Sequence, residues 1–366
     1  MILPIYFLTK NISPEIITLT IGVAATPMII KFIWGGVVDY FARFGRKRFI
    51  VIGGILSVIS LLVQAFIDPG IALLPFAGFV TLCWIGVGFL DVSADAWAIQ
   101  ISKEIERGKI NGAMYSGQNL GMAVGAVALP FLADIINYQS IFLGSALIVL
   151  IIILFPLIIE EQIIITKQQH IGRLLLDEIK KKKIIILTIF AIIFGSSAGM
   201  LLFIAPLFMD IALTLDLTQI GLITMVFTIA SAIGAIIGGS AADRWGRAKT
   251  IGLLMLASIL FSAALVFAYD WQNFLTVYAV IGFLQGGYFA AALALFMDNT
   301  NPKVGATQFS IFMGLGNFGE IGISAISGAI YAMSSFNHVF LYAAWFFGPT
   351  LIILYIFNLN YPQVHK

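Results

Sequence analysis

Long apolar segments recur along almost the whole chain, and this recurrence restricts the folds open to it. A helix needs roughly 20 predominantly apolar residues to cross about 30 Å of hydrocarbon. Eleven segments reach that length: 15–39, 49–67, 71–101, 110–133, 139–159, 184–209, 217–240, 250–269, 272–297, 306–333 and 338–360. The pattern predicts an all-α membrane protein with 11 full transmembrane helices.

Composition supports this class and argues against others. The chain is 60% apolar and 10% charged, whereas a soluble domain averages about 25% charged residues. Cys83 is the single cysteine, so no disulfide framework is expected. The three histidines, His170, His338 and His365, are too scattered for a zinc motif. We expect no cofactor, no metal site and no nucleic-acid partner.

The basic residues predict the topology. Of the 20 Lys and Arg residues, 18 fall on one set of alternating loops, and only Lys10 and Lys31 lie elsewhere. An excess of Lys and Arg marks cytoplasmic loops. We therefore expect a multi-pass protein of the plasma membrane, with the C-terminus at Lys366 and the segment 161–183 in the cytoplasm.

The first nine residues, Met1–Thr9, are apolar but too short to cross a bilayer. The predicted topology puts their C-terminal end outside, so a helix ending there would begin in the cytoplasm. The chain thus reads as a twelve-helix protein that lacks most of its first helix. A misplaced start codon and a truncated relic both account for this.

The longest polar loop divides the chain into two halves. We expect an N-terminal bundle at 1–160, a cytoplasmic linker at 161–183 and a C-terminal bundle at 184–366. In the linker, Leu175, Leu176 and Ile179 lie near four consecutive lysines. This pattern fits an interfacial helix on an anionic leaflet and equally a solvated tether.

Two loops share one pattern, G-x-x-x-D-R-x-G-R, at matching places in the two halves. The first copy has three extra residues after its aspartate. A small residue allows close helix approach, and the carboxylate can accept bonds from a helix N-terminus or an arginine. The candidate gating residues are Gly35, Asp39, Arg43, Gly45, Arg46, Gly239, Asp243, Arg244, Gly246 and Arg247.

The paired loops resemble the signature loop of the major facilitator superfamily (MFS), and the resemblance covers essentially the whole chain. It implies two six-helix bundles and secondary transport of a small organic solute by alternating access, with the loops bracing one access state. No Walker A motif is present, which argues against self-contained ATP-driven pumping. No HExxH metalloprotease motif is present either, and an enzyme is not expected. The alternative is an MFS-fold protein that moves lipid, senses a ligand or transports nothing.

Shorter segments resemble one branch of that family. They are Asp91-Val-Ser-Ala-Asp95, Glu106-Arg107-Gly-Lys-Ile-Asn111-Gly112 and Gly305-Ala-Thr307-Gln308-Phe309-Ser. All three look like the muropeptide-permease and acetyl-coenzyme A transporter branch, and folate–pterin transporters have a similar carboxylate pair. The substrate is not implied by these segments.

Polar residues are concentrated on the helices that the resemblance places near the centre. The candidate pathway residues are Lys31, Asp91, Asp95, Gln118, Asn119, Gln285, Asn317 and Glu320. By contrast, the sixth helix over Ile141–Ile159 and the twelfth over Val339–Phe357 contain no Asp, Glu, Lys, Arg or His, as outer helices should. We expect a small-molecule substrate, with protons as a candidate coupling ion, and a monomer.

Each charged side chain within a transmembrane helix is expected to have a structural or functional role, because it costs about 2.5–3.5 kcal/mol at the bilayer centre on insertion scales. Asp91 and Asp95 lie one turn apart, and either can carry a proton. Asp95 can instead pair with Arg43 or Arg46. Glu320 faces the pathway or bonds a polar neighbour such as Asn317, and Lys31 either snorkels or binds substrate.

Overall fold

The computed structural model describes residues 2–161 and 171–362. These residues form fifteen α-helices: α1 (Ile2–Thr9), α2 (Pro14–Ile29), α3 (Phe32–Tyr40), α4 (Lys47–Gln64), α5 (Leu73–Ile101), α6 (Arg107–Ile135), α7 (Tyr138–Ile152), α8 (Phe155–Ile158), α9 (Ile171–Ile179), α10 (Lys182–Leu207), α11 (Leu217–Trp245), α12 (Arg247–Ala264), α13 (Trp271–Asp298), α14 (Gly305–Met333) and α15 (Phe336–Asn360). Part of the predicted linker, with His170, and the tail containing His365 and Lys366 lie outside the described residues.

The described helices match the predicted spans closely. Ten segments are long and apolar enough to cross a membrane: Leu19–Tyr40, Lys47–Gln64, Leu73–Ile101, Tyr138–Ile158, Lys182–Ala212, Thr218–Trp245, Arg247–Phe267, Trp271–Asp298, Pro302–Met333 and Phe336–Asn360. The remaining predicted span, 110–133, lies inside α6, whose 29 residues reach about 43 Å at 1.5 Å per residue. The chain is therefore an all-helical, multi-pass membrane protein.

The chain divides into two compact units that are not simple halves of the sequence. Unit 1 comprises Met1–Ile101, Ala128–Asp177 and Asn301–Gly314. Unit 2 comprises Ser102–Val127, Glu178–Thr300 and Leu315–Lys366. Helices α6 and α14 each contribute to both units. The division of the sequence at 160 and 183 stays a prediction.

The short helix α1 packs into the core of unit 1. Phe7 is fully buried, and Tyr6 stacks on Tyr138 with ring centroids 4.3 Å apart. Phe76 and Phe142 complete this aromatic cluster. Burial of these rings fixes α1 against α5 and α7, because each large aromatic side chain removes about 150–250 Å² from solvent or lipid.

The first predicted span is broken between α2 and α3. Pro27 has no amide hydrogen to donate to the helix and its ring crowds the preceding turn. The helix ends two residues later, and Lys31 lies in the break. The indole Nε1 of Trp34 donates a 3.3 Å hydrogen bond to the carbonyl of Pro27. A polar side chain thus satisfies one of the backbone groups at this interruption.

The two lysines outside the cytoplasmic charge pattern are both paired with aspartates. Lys10 Nζ lies 2.6 Å from Asp68 in the turn between α4 and α5. Lys31 Nζ lies 2.8 Å from Asp91 on α5. These two basic residues therefore have local counter-ions, which explains why they depart from the predicted asymmetry.

Helices α7 and α15 expose large apolar side chains. The exposed residues on α7 include Leu147, Ile148, Ile151 and Ile152, and those on α15 include Leu341, Trp345, Ile352 and Tyr355. An apolar surface of this kind suits contact with lipid. It agrees with the absence of Asp, Glu, Lys, Arg and His from Ile141–Ile159 and Val339–Phe357.

Candidate functional site

The aspartate of the first loop holds the N-terminus of α14. Asp39 Oδ1 accepts a 3.1 Å hydrogen bond from the amide of Ala306, and Oδ2 accepts bonds of 2.7 Å from both the amide and the hydroxyl of Thr307. Asp39 is buried. Its charge lies where a helix presents unpaired N–H groups and a partial positive charge. We call this arrangement the first brace.

Arg46 strengthens the first brace from the other end of the loop. One guanidinium nitrogen lies 3.5 Å from Asp39 and donates a 2.9 Å bond to the carbonyl of Pro302, just before α14. The other nitrogen donates to the carbonyl of Ala96. The backbone amide of Arg46 donates to Glu161 at 2.7 Å. Arg46 therefore links α5, the loop and the start of α14.

The aspartate of the second loop holds the N-terminus of α6 in the same way. Asp243 Oδ1 accepts a bond from the amide of Gly108 and Oδ2 one from the amide of Lys109, each at 2.8 Å. The bonded amides are the second and third residues of α6. Ala306 and Thr307 occupy the same two positions of α14. This second brace thus repeats the first.

A network of ion pairs surrounds the second brace. Arg247 pairs with Asp243 and donates from Nε to Asp298 at 3.0 Å. The other carboxylate oxygen of Asp298 accepts a 3.2 Å bond from Arg107, at the start of α6. Arg247 also donates to the carbonyl of Glu104, in the turn that precedes α6. In the second brace, two arginines therefore form ion pairs with one acid of α13, Asp298. In the first brace, Arg46 instead donates to the backbone carbonyl of Ala96.

The first glycine of each loop allows the close approach of these helices. A Cβ added to Gly35 would lie 2.7 Å from the carbonyl oxygen of Ala306. A Cβ added to Gly239 would clash with the carbonyl of Gly108. Since neither position has space for a side chain, each glycine sets the distance over which its aspartate can reach the helix N-terminus.

The three extra residues of the first loop leave its brace intact. They lie between Asp39 and Arg43, and the chain there leads into a short 3₁₀ turn at Ala42–Phe44. The guanidinium of Arg43 lies 4.6 Å from the ring centroid of Phe44, and Arg244 of the second loop is exposed. In each loop the later arginine, Arg46 or Arg247, makes the brace contact.

The second glycine of the second loop, Gly246, is required by the backbone conformation. Gly246 has φ 96° and ψ 148°, a region that costs other residues about 1–3 kcal/mol. We expect Gly246→Ala to lower the free energy of unfolding by about that amount, measured by denaturant titration of the purified protein. Gly252→Ala is the matched control, because a Cβ at Gly252 meets no atom within 4 Å. Equal stability of the two variants would contradict this account.

The membrane charges of unit 1 form one cluster. Lys31 is 3% exposed and its ammonium pairs with Asp91, so it does not snorkel to the interface. The charge of Lys31 also acts on Asp95. Among the described residues no hydrogen bond or ion pair reaches the Asp95 carboxylate. The alternative pairing of Asp95 with Arg46 is wrong, because Arg46 pairs with Asp39.

The polar residues of unit 2 gather around Tyr115 on α6. The side chains of Asn119, Gln285 and Ser231 lie near its hydroxyl, and the charge of Glu320 acts on it; the Nδ2 of Asn119 donates a 2.8 Å bond to the backbone carbonyl of Tyr115. This cluster joins α6, α11, α13 and α14. The structure therefore brings together Asn119 and Gln285 beside Tyr115, with Glu320 in electrostatic range of the same hydroxyl, whereas the sequence could only assign these residues to separate helices.

Two other candidates stand apart from this polar cluster. Gln118 is exposed, and Asn317 is half-buried. Within residues 2–161 and 171–362, neither side chain makes a hydrogen bond. The expected bond between Glu320 and Asn317 is likewise absent from the described residues, so that alternative for Glu320 is wrong.

Several site residues were missed at the sequence level. Two of them, Thr307 and Arg107, lie in the segments that resemble the transporter branch. Their position at the start of a helix is the sequence signal that could have identified them. Asp298 ends α13 beside a basic loop, and Tyr115 lies one turn before Asn119. Glu161 contacts a loop more than a hundred residues away, and nothing local in the sequence indicates that contact.

Curated transporter sequences are similar to part of this chain. The hexuronate transporter of Bacillus subtilis (strain 168) is 35% identical over 130 residues, which are 36% of this chain and 30% of the relative. The probable folate-biopterin transporter 7 of Arabidopsis thaliana is 27% identical over 147 residues, 38% of this chain and 33% of the relative. The chain spans about a third of the length of these curated relatives.

Solved structures share the fold over almost the whole chain. The human organic anion transporter MFSD10 superimposes with a TM-score of 0.77 at 10% identity, covering 95% of this chain and 87% of the other. The proton:xylose symporter XylE gives 0.72 at 15% identity, with 97% and 88% covered. The E. coli fucose:proton symporter FucP gives 0.69 at 12% identity, with 92% and 94% covered.

The family model of the Major Facilitator Superfamily matches residues 1–211 and 185–366. These two stretches include both braces and every candidate pathway residue. The chain therefore belongs to the Major Facilitator Superfamily, whose members are transporters and not enzymes.

Proposed function

We propose that this protein is a secondary active transporter that moves a small organic solute by alternating access. The observation that carries the proposal is the pair of reciprocal braces. Asp39, from the N-terminal half of the sequence, holds a helix of the C-terminal half. Asp243, from the C-terminal half, holds a helix of the N-terminal half. Transporter relatives favour this function over a non-transporting relic or a lipid-moving or sensory protein.

Each brace is a contact that must break for the access state to change. A hydrogen bond to a charged group contributes about 1.5–3 kcal/mol, and each carboxylate also lies at the positive end of a helix. Two such braces stabilise one state by a few kcal/mol, an amount that substrate or proton binding can offset. The braces would thus slow the change of state without preventing it.

The pathway proposal rests on the two polar clusters. Lys31, Asp91 and Asp95 form one, and Asn119, Gln285 and Glu320 form the other with Tyr115; Gln118 and Asn317 extend the set. Protonation of Asp91 would remove the charge that pairs with Lys31. Coupling of that event to transport would make the protein a proton symporter, with Asp91 as the coupling acid.

The branch of the family, the bounds of the two bundles, the oligomeric state and the membrane are also part of the proposal. The segments around Asp91, Arg107 and Thr307 favour the muropeptide-permease and acetyl-coenzyme A transporter branch. We propose bundles at 1–160 and 184–366 that are joined by the linker 161–183. The protein would act as a monomer in the plasma membrane.

The proposed topology gives a direct prediction. Reporter fusions after Lys183 and at Lys366 should read cytoplasmic, because 18 of the 20 Lys and Arg residues lie on the loops assigned to that side. An epitope in the Asp68–Gly70 turn should be accessible from outside in intact cells. An external reading after Lys183 would contradict the two-bundle arrangement.

Uptake by proteoliposomes tests the function. The purified chain is reconstituted and offered labelled sugars, hexuronates, peptides, pterins and amines, with and without an inward proton gradient. We expect at least one solute to accumulate above protein-free vesicles, and expect the gradient to raise that accumulation. Failure of the whole panel to enter or exchange would contradict the transporter proposal.

A further inference from the structure

We propose that Glu161 is the positioning residue of the first brace: its carboxylate fixes the turn at Gly45 and thereby orients Arg46 toward the start of α14. Glu161 follows α8 in the sequence. Within the described residues, no bond joins it to Asp39 or to α14, so it acts on the brace through Arg46. The effect of this contact on uptake rests on the proposed transport function, whereas the positioning of the brace does not.

The Glu161 carboxylate caps α4 with both of its oxygens. Oε1 accepts a 2.7 Å hydrogen bond from the amide of Arg46, and Oε2 accepts a 3.2 Å bond from the amide of Lys47, the first residue of α4. Amides at this end of a helix have no partner within it, and a negative charge is favourable there. The ammonium of Lys47 donates a 2.9 Å bond to the carbonyl of Ile159. The segment 159–161 is therefore bonded to the first loop at three points.

Gly45 leaves the space that this carboxylate occupies. Its φ of 88° lies in the region that favours glycine. A Cβ added to Gly45 would also lie 2.6 Å from Oε2 of Glu161, well inside van der Waals contact. A side chain at this position would therefore displace the carboxylate from the amides of Arg46 and Lys47. Gly45 thus serves both the turn and the contact with Glu161.

The Arg46 side chain depends on this backbone contact for its orientation. It is buried, and its guanidinium donates to the carbonyls of Ala96 and Pro302, the latter at 2.9 Å. The guanidinium lies 3.5 Å from Asp39, which is beyond the usual hydrogen-bond range, so this pair alone aligns it weakly. Because Glu161 holds the backbone of Arg46, loss of that contact would let the guanidinium move away from the start of α14.

The length of the first loop explains why it needs a contact from outside. Asp243 and Arg247 of the second loop are four residues apart, so a short turn brings them together. Asp39 and Arg46 are seven residues apart, because the first loop has three extra residues. A longer loop has more conformational freedom to lose when its ends are brought together. The bonds from Glu161 restrict that freedom at the Arg46 end.

Hydrogen exchange of the purified full-length chain tests the inference without requiring transport. The readout is the exchange rate of the Ala306 and Thr307 amides, which donate to Asp39 and not to Glu161. Glu161→Gln keeps the size of the side chain but has one acceptor oxygen and no charge. We expect it to raise exchange at these two amides by about threefold to tenfold. Exchange at the amides of the second brace should stay within about twofold of wild type.

This readout separates positioning from simple helix capping. A cap that only stabilised α4 would change exchange at Arg46 and Lys47 and leave the start of α14 unaffected. Glu160→Gln is the matched control, because Glu160 is exposed and no bond from it reaches the first loop in residues 2–161 and 171–362. The control should match wild type at both braces. Thermal unfolding of each variant establishes that it is folded.

A double-mutant cycle tests the contact between Gly45 and Glu161. Gly45→Ala should raise exchange at the start of α14 in two ways, through strain at its positive φ and through displacement of the carboxylate. In a Glu161→Ala background the carboxylate is absent, and only the strain remains. The same change should therefore have an effect at least about threefold smaller in that background.

Any of three results would overturn the inference: unchanged exchange at Ala306 and Thr307 in the Glu161→Gln protein, an equal rise at both braces, or additive effects in the cycle. A rise at the first brace alone, with solute uptake unchanged, would support the positioning role and contradict the proposed part of the braces in transport. A wild-type protein that takes up no solute would contradict the transport proposal, and the exchange result would still decide the role of Glu161.

Discussion

Asparagine in place of Asp39 or Asp243 is expected to shift the access equilibrium by roughly tenfold to a hundredfold and to reduce solute uptake at least tenfold. Both oxygens of each carboxylate accept from backbone N–H groups of a helix N-terminus. An amide has only one acceptor oxygen, so its NH₂ group would face an N–H donor. The charge at the positive helix end is also lost.

Cysteine accessibility can measure the shift. Cys83 is the only cysteine, so Cys83→Ser gives a cysteine-free background in which Gln118→Cys reports access to the proposed pathway. In oriented vesicles, an impermeant maleimide should label this site faster from the cytoplasmic side once a brace is removed. The double variant Asp39→Asn/Asp243→Asn should shift access further than either single change.

Asp216→Asn is the matched control for the braces. Asp216 caps α11 through one oxygen, which accepts a 2.8 Å bond from the amide of Gln219. Asparagine can make the same bond, and it caps helices as well as aspartate does. Uptake and labelling should therefore match wild type. Unchanged access in both brace variants would mean that the loops are ordinary turns.

The second large effect is expected at the Lys31–Asp91 pair. Asp91→Asn should abolish accumulation driven by a pH gradient while preserving exchange of solute between compartments at equal concentration. The amide keeps the shape of the side chain but cannot gain or lose a proton. Accumulation with and without the gradient, beside exchange, in reconstituted vesicles is the measurement.

The two partners of this pair should differ in their effect on stability. The Lys31 side chain is 4% exposed, whereas that of Asp91 is 40% exposed. Leaving a buried charge without its partner costs about 3–5 kcal/mol, so Asp91→Asn should destabilise the protein more than Lys31→Met does. The double variant should recover part of the loss, because no buried charge is left unpaired.

Asp95→Asn serves as the comparison within the same helix. Asp95 has no bonded partner in the described residues, so its replacement should affect stability less than that of Asp91. Full pH-driven accumulation by the Asp91→Asn protein would remove Asp91 from the coupling role and favour Asp95 or Glu320. Equal destabilisation by Lys31→Met and Asp91→Asn would contradict the burial argument.

Some features of the site were predictable because they depend on local sequence. The glycine and aspartate of each loop lie four residues apart, so one helical turn places both on the same face. The positive φ of Gly45 and Gly246 follows from the need to turn the chain at the end of a helix. Their partners at Ala306 and Gly108 are distant in sequence and were not predictable from the loops alone.

The sequence by itself determined the transmembrane helices, the expected side of each loop and the family, since these follow from apolar length, charge placement and local motifs. Only the tertiary structure decided that Lys31 meets Asp91, that Arg46 meets Asp39 and that Glu320 has no partner among the described residues. The physical reason is helix rotation. Helices that are apolar on nearly all sides carry little pattern to show which face meets a neighbour, so the pairing of their few polar residues is set by packing across the fold.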